Sequence, residues 1–168
     1  INGMRFWILT AIAAGCLSLM GAGKKAQSFI VSFHVEGTEA EAPKFSQPIR
    51  LGTEGKVYYF EILPTITDKD IAWFYPFVSK DGRSFGAAFK MRPGSVRSLQ
   101  AVTMKKQGKL LGIRIADAPL SAVMIDRPID DGVIVVWDGL GQKHLQMFKQ
   151  RFPHVEDLQK ARNVNAVQ

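Results

Sequence analysis

Hydrophobic and polar residues alternate along several short segments of the chain. Between residues 28 and 35, four apolar side chains at alternate positions lie opposite Ser28, Ser32 and His34, which predicts a strand with one buried face and with His34 on its solvated face. Five more segments of strand-like pattern come after it, at 56–63, 84–91, 110–116, 120–126 and 132–137. The sequence therefore predicts a protein rich in short strands.

Two other segments have the apolar spacing of a helix. One begins at Pro93-Gly94-Ser95 and ends at Gln107-Gly108, and the other runs from about 142 to 151 with Leu145, Phe148 and Phe152 as its apolar stripe. Thr67 and Asp70 have the spacing of a helix N-terminus, which predicts a short helix through 71–74 that ends at Pro76. Residues 36–48 are predicted to be a long loop, and 155–162 one more exposed helical turn.

This order of strands and helices, joined by short links, predicts an α+β fold in which an antiparallel sheet has helices packed on one face. The length of 168 residues suits one domain, which we assign to 24–160, with 161–168 as a frayed tail. The 11 Phe, 3 Trp and 3 Tyr provide ample core and exclude a wholly disordered chain.

The first 23 residues are predicted to be a targeting sequence outside the fold. Residues 6–23 are uncharged, come directly after Met4-Arg5 and end in small residues before Lys24-Lys25. Three fates are open: cleavage after Gly23, lipid attachment at Cys16, or retention as a single anchor helix. Each places the rest of the chain in the periplasm or on the outer face of a membrane. Residues 1–3, ahead of Met4, are interpreted as an upstream read-through or a cloning scar.

The sequence shows no pattern typical of catalysis or of cofactor binding. Its single Cys excludes a disulfide framework and Cys-rich metal sites, and the three His residues lack zinc-site spacing. There is no Gly-x-Ser-x-Gly motif for a nucleophile. We therefore predict a protein that is not an enzyme, with no catalytic residues, no metal, no cofactor and no identified small-molecule substrate. Export and the absence of a nucleic-acid motif argue against nucleic acid as a partner.

The excess of basic residues and a cluster of aromatic residues both lie in the middle of the chain. Residues 80–109 hold eight basic residues and one acidic residue, a net of +7 that equals the charge of the whole chain. Residues 73–77 hold four aromatic side chains, more than one face of a short helix can bury. Aromatic side chains beside cationic ones suit the binding of a protein or an extended polypeptide. The predicted partner-binding residues are Trp73, Phe74, Tyr75, Phe77, Arg83, Lys90, Arg92 and Arg97. The alternatives are that the aromatic residues fill the core and that the basic residues are a solvated face.

Residues 84–151 resemble the periplasmic head subdomain of SecD, an accessory subunit of the bacterial Sec secretion channel. The resemblance depends on Thr103, on Gly108-Lys109, on the apolar strand directly after them, and on Ser121-Ala122 in the next strand. It also includes Ile129, Gly132 and Gly139, and before them Phe85, Phe89 and Pro93-Gly94. Val123 stands where the family has Pro. The resemblance implies a ferredoxin-like head that contacts unfolded chains or translocon partners. It does not imply proton-driven transport, because at most one spanning segment is predicted here.

The sequence therefore predicts an exported, non-catalytic binding module that contacts a protein partner or a translocating polypeptide at the membrane. Two alternatives remain open. One is a small envelope enzyme or ligand-binding protein whose pocket is assembled from distant residues. The other is an envelope structural or membrane-surface protein that uses the basic face of residues 80–109.

Overall fold

The computed structural model of the protein describes residues 29–159. Within them lie nine strands: β1 (Val31–Val35), β2 (Ser46–Leu51), β3 (Lys56–Glu61), β4 (Ile66–Thr67), β5 (Ile71–Val78), β6 (Phe85–Met91), β7 (Leu110–Ile115), β8 (Ser121–Met124) and β9 (Val133–Leu140). The helices are α1 (Pro93–Lys105) and α2 (Gln142–Arg151). The predicted signal or anchor segment, Cys16 and the predicted tail lie outside the described residues.

The strands form three antiparallel sheets rather than the one sheet that the sequence predicted. The four-stranded sheet has the order β4–β1–β7–β8, the three-stranded sheet has the order β5–β6–β9, and β2 and β3 form a hairpin. Every strand pair is antiparallel. The α+β fold class is therefore confirmed, with the strands divided among more sheets than expected.

One continuous apolar core joins the two larger sheets and both helices. Phe33 of β1 meets Phe89 of β6 with ring centroids 6.1 Å apart, so the two sheets contact each other directly. Phe89 also meets Phe148 of α2 at 5.2 Å, and Leu99 of α1 is fully buried in the same cluster. The three-stranded sheet therefore has one face turned to the core, and this face contacts both β1 and α2.

The prediction of a short helix over residues 71–74 is wrong, because these residues belong to β5. Thr67 and Asp70 do make the predicted cap, since the Thr67 N–H donates to Asp70 Oδ2 at 2.9 Å, but they close only a 3-10 turn over Asp68–Asp70. The chain then continues as β5, in which aromatic residues occupy both faces. A run of aromatic residues favours strand over helix, and a cap alone does not determine the conformation of the residues after the first turn.

Two further expectations are corrected by the structure. Residues 46–48, predicted to be loop, belong to β2, which pairs only with β3 in the described part of the chain. His34, predicted on a solvated face, is buried. Its Nδ1–H donates to the Glu61 carbonyl at 2.8 Å and its Nε2 lies 2.9 Å from the Ser32 hydroxyl, so the end of β3 covers this side of β1.

Candidate functional site

The face of the three-stranded sheet that points away from the core is the candidate functional site. Phe74, Phe89 and Ile134 pair across the three strands, and all three are buried in the core. Side chains alternate along a strand, so their neighbours in sequence point to the opposite side. We call that side the outer face; it carries Trp73, Tyr75 and Phe77 on β5, Gly86, Ala88 and Lys90 on β6, and Val133 and Val135 on β9.

Aromatic rings dominate one end of the outer face. Tyr75 is 45% exposed and Trp137, which lies two residues after Val135 on β9, is 66% exposed. The Phe77 ring lies 6.0 Å from the Trp137 ring, in an edge-to-face arrangement. A Cβ atom at Gly86 would overlap the Phe77 ring and come within 2.6 Å of the Val136 carbonyl oxygen. Glycine at this position therefore lets the Phe77 ring lie close to the sheet.

An open depression of ≈ 660 Å³ lies beside these rings. It is lined by three apolar residues, Phe77, Val78 and Trp137, and by three charged ones, Lys80, Asp81 and Asp138. The three charged side chains are exposed, and Val78 is 63% exposed. The depression therefore combines apolar contact area with solvated charged groups, a combination typical of a surface that binds a macromolecule.

The last described residues cover the opposite end of the outer face. Trp73 is half-buried and lines a small depression with Val155 and Leu158. The His154 ring lies 6.3 Å from the Tyr75 ring and 5.4 Å from the Phe74 ring. Of the four aromatic residues predicted to bind a partner, Tyr75 is therefore the most accessible to solvent.

The structure brings together some of the predicted binding residues and separates others. Phe74 is fully buried, with its ring 5.8 Å from Phe148, so it belongs to the core. Lys90 lies on the outer face, where its Nζ donates to the Asp131 carbonyl oxygen. Arg83 is exposed in the turn between β5 and β6, whereas Arg92 and Arg97 are exposed at the start of α1, beyond the other end of β6.

Sequence reasoning missed Trp137 as a site residue and predicted a strand that ends at residue 137, whereas β9 continues to Leu140. The signal was present, because Val133, Val135 and Trp137 alternate in the same register along one strand. The sequence does not contain the pairing that places this row of side chains on the same face as Tyr75 and Phe77.

The described residues hold no group of three or more His, Cys, Asp or Glu side chains placed to bind a metal ion. His144 has a structural role, since the Gly141 N–H donates to its Nδ1 at 2.9 Å at the start of α2. Burial lowers the pKa of His34, although its bond to the Glu61 carbonyl opposes the shift. Within residues 29–159, no helix is both long and apolar enough to span a bilayer.

The comparisons with known proteins give a structural similarity only. No protein-family model and no curated protein matches the chain. A structure described as "Structure and function of a membrane component SecDF that enhances protein export" matches with a TM-score of 0.48 and 14% identity, over 73% of this chain and 58% of that chain. The "Crystal structure of SecDF in Super-membrane-facing form" matches with a TM-score of 0.47 and 14% identity, over 74% of this chain and 18% of that chain. Each match covers only part of the SecDF chain that it is similar to.

Proposed function

We propose that this chain is an exported, non-catalytic binding module that holds an extended polypeptide segment against its outer face, close to a membrane. The observation that carries the proposal is the cluster of Tyr75, Phe77 and Trp137 at the end of the outer face that residues 153–159 do not cover. Exposed aromatic residues on a rigid sheet provide a large contact area at low entropic cost. The resemblance of residues 84–151 to the SecD head agrees with this assignment.

The geometry favours a polypeptide over a small molecule. Sites for small ligands are concave and enclose most of the ligand, with a few buried polar groups that fix its orientation. The depression beside Trp137 is open, and its polar residues Lys80, Asp81 and Asp138 are exposed. An extended chain, in contrast, is matched by an exposed strip of sheet with aromatic anchors.

The test measures the binding of a fluorescein-labelled synthetic peptide, with Val and Thr in alternation before a C-terminal Lys-Lys, by fluorescence anisotropy. We expect Trp137→Ala to weaken binding about tenfold, as for the loss of an aromatic anchor worth about 1.4 kcal/mol. Met124→Ala is the matched control, because Met124 is also 66% exposed but lies on β8 of the other large sheet. Equal affinity of the Trp137 and Met124 variants, or no binding at all, would overturn the proposal.

The membrane-surface alternative is tested with the same variants and anionic vesicles. If Trp137→Ala reduced cosedimentation with vesicles and no peptide bound, the outer face would be a lipid-binding surface and the proposal would be wrong. We expect the reverse, because the basic residues do not form one face. Arg83 and Arg92 lie beyond opposite ends of β6, and Lys106 and Lys109 pair with Glu61 and Glu36.

A further inference from the structure

The three-stranded sheet has two edges, formed by β5 and by β9, and the backbone shows which groups each edge presents. The Met91 N–H donates to the Gly132 carbonyl at 2.8 Å, so Met91 and Gly132 form a hydrogen-bonded pair. Such pairs alternate with non-bonded pairs along an antiparallel ladder. Ile134 and Val136 therefore bond to β6, whereas Val133 and Val135 direct their N–H and C=O groups away from it.

The β5 edge is closed by the protein itself. By the same alternation Phe74 and Pro76 face outward, and the Phe74 N–H donates to the Pro153 carbonyl at 3.2 Å, with a parallel bridge between Phe74 and His154. Pro76 has no N–H to present. Proline at an outward-facing position and a covering segment are two ways in which proteins prevent pairing at a sheet edge.

The β9 edge has neither of these protections in the described part of the chain. β9 pairs only with β6 there, and its first two outward positions are valines, which favour strand pairing. The Val133 N–H is bonded at 2.9 Å to Asp131 Oδ1, which leaves the Val133 carbonyl and both backbone groups of Val135 as the outward set. An incoming strand would find these groups directly beside Trp137.

A groove of ≈ 210 Å³ lies between the 126–131 loop and Val133 and Val135 of β9. Three of its lining residues are acidic, Asp126, Asp130 and Asp131, and one is basic, Arg127. The groove therefore has a negative balance of charge, opposite to that of the chain as a whole. It complements a segment that carries Lys or Arg at the end nearest the loop.

We infer that the bound polypeptide pairs with β9 as a fourth strand of the three-stranded sheet, an inference that rests on the proposed function and specifies its ligand. The ligand class is an extended segment with apolar residues at alternate positions and a basic residue at one end. Its backbone pairs with Val135, and alternate side chains lie on the outer face beside Trp137. Addition of a strand to an open edge gives affinity through main-chain hydrogen bonds and specificity through alternate side chains.

The test uses two N-methylated forms of the labelled peptide. One form is methylated at the backbone nitrogens of the Val residues, and the other at those of the Thr residues between them. Only alternate N–H groups of a pairing strand point to β9, so one form should lose affinity by about tenfold or more and the other should bind nearly unchanged. If both forms bind equally and still depend on Trp137, strand addition is wrong and the proposed function stands. If no form binds, the proposed function itself fails.

Two substitutions in the protein test whether the backbone N–H of residue 135 is needed for binding. Val135→Pro removes an outward N–H and spares the ladder to β6, so we expect about tenfold weaker binding of the unmethylated peptide. Val135→Thr keeps the N–H and the β-branched shape and should retain the affinity. If Val135→Pro binds as well as Val135→Thr, the inference is overturned. If it fails to fold, as judged by circular dichroism, the N-methylated peptides decide alone.

Discussion

At the scale of single residues, His34 shows how neighbouring elements change a local pattern. Its strand alternates as the sequence predicts, yet the side chain is buried because the Glu61 carbonyl closes over it. The carbonyl can only accept, so Nδ1 carries the proton and Nε2 accepts from the Ser32 hydroxyl. A second proton on Nε2 would reverse the hydrogen bond with the Ser32 hydroxyl and would place a positive charge in a buried site, which burial disfavours.

This leads to a prediction for the pH dependence of stability. Burial lowers the pKa of His34 in the folded state, with Arg114 also lowering it, whereas the unfolded value is about 6.5. The unfolded chain therefore binds the proton more readily, and the contribution of His34 to stability is full above about pH 6.5 and is lost as the pH falls below it. Urea unfolding at several pH values should show this loss. His34→Gln should remove that part of the dependence and the control His144→Gln, at the start of α2, should keep it; equal pH profiles for the two variants would contradict the prediction.

At the scale of elements, the sequence predicts the features that depend on local pattern and fails where pairing decides. Strands β1, β3, β6, β7, β8 and β9 and both helices lie where alternation and apolar spacing place them. β5 was interpreted as a helix because the cap at Thr67 and Asp70 is genuine, although it closes only one 3-10 turn. β2 contains Pro48 and pairs only with β3 in the described residues, so it has little local signal.

The same division applies to the candidate site. The aromatic segment 73–77 was identified as a binding feature from its composition alone, and that prediction stands as a proposal. Trp137 and the open β9 edge could be identified only from the strand order, because they lie about 60 residues after the aromatic segment in the chain. Which edge of a sheet is open is a property of the topology, and no local pattern of residues records it.

Thr103 links α1 to the loop that walls the groove. Thr103 is fully buried; its hydroxyl donates to the Leu99 carbonyl at 2.8 Å and accepts the Ile129 N–H at 2.9 Å. Thr103→Val removes the acceptor and keeps the shape, so the Ile129 N–H loses its partner at a cost of about 1–2 kcal/mol. Denaturant unfolding should show this loss and hydrogen exchange should show a faster Ile129 amide. Thr103→Ser keeps the hydroxyl and should keep the Ile129 amide protected from exchange. If Thr103→Val protects this amide equally well, the hydrogen bond from Ile129 to Thr103 does not hold the loop.

At the scale of the whole molecule, α2 connects the two large sheets and is held by an ion pair at each end. Near its start Lys143 pairs with Asp117 at 2.6 Å, and both side chains are exposed. At its end the Arg151 Nε lies 3.3 Å from Asp68 Oδ2, and the Asp68 side chain is only 5% exposed. The other carboxylate oxygen of Asp68 has no hydrogen-bond partner among the described residues. Arg151 is therefore the main compensation for a buried charge between β4 and β5.

The two ion pairs should differ sharply in their effect on stability, which makes one the control for the other. Arg151→Leu leaves the Asp68 carboxylate buried without its cation, and we expect a loss on the order of 1–3 kcal/mol in the free energy of unfolding, below the range for fully buried pairs because Arg151 is half exposed. Lys143→Leu should leave the denaturation midpoint unchanged, since solvent screens an exposed pair. Adding Asp68→Asn to Arg151→Leu removes the buried charge and should recover part of the loss. Equal effects of the two single substitutions, or a double variant less stable than Arg151→Leu alone, would show that the buried carboxylate does not determine how α2 is held.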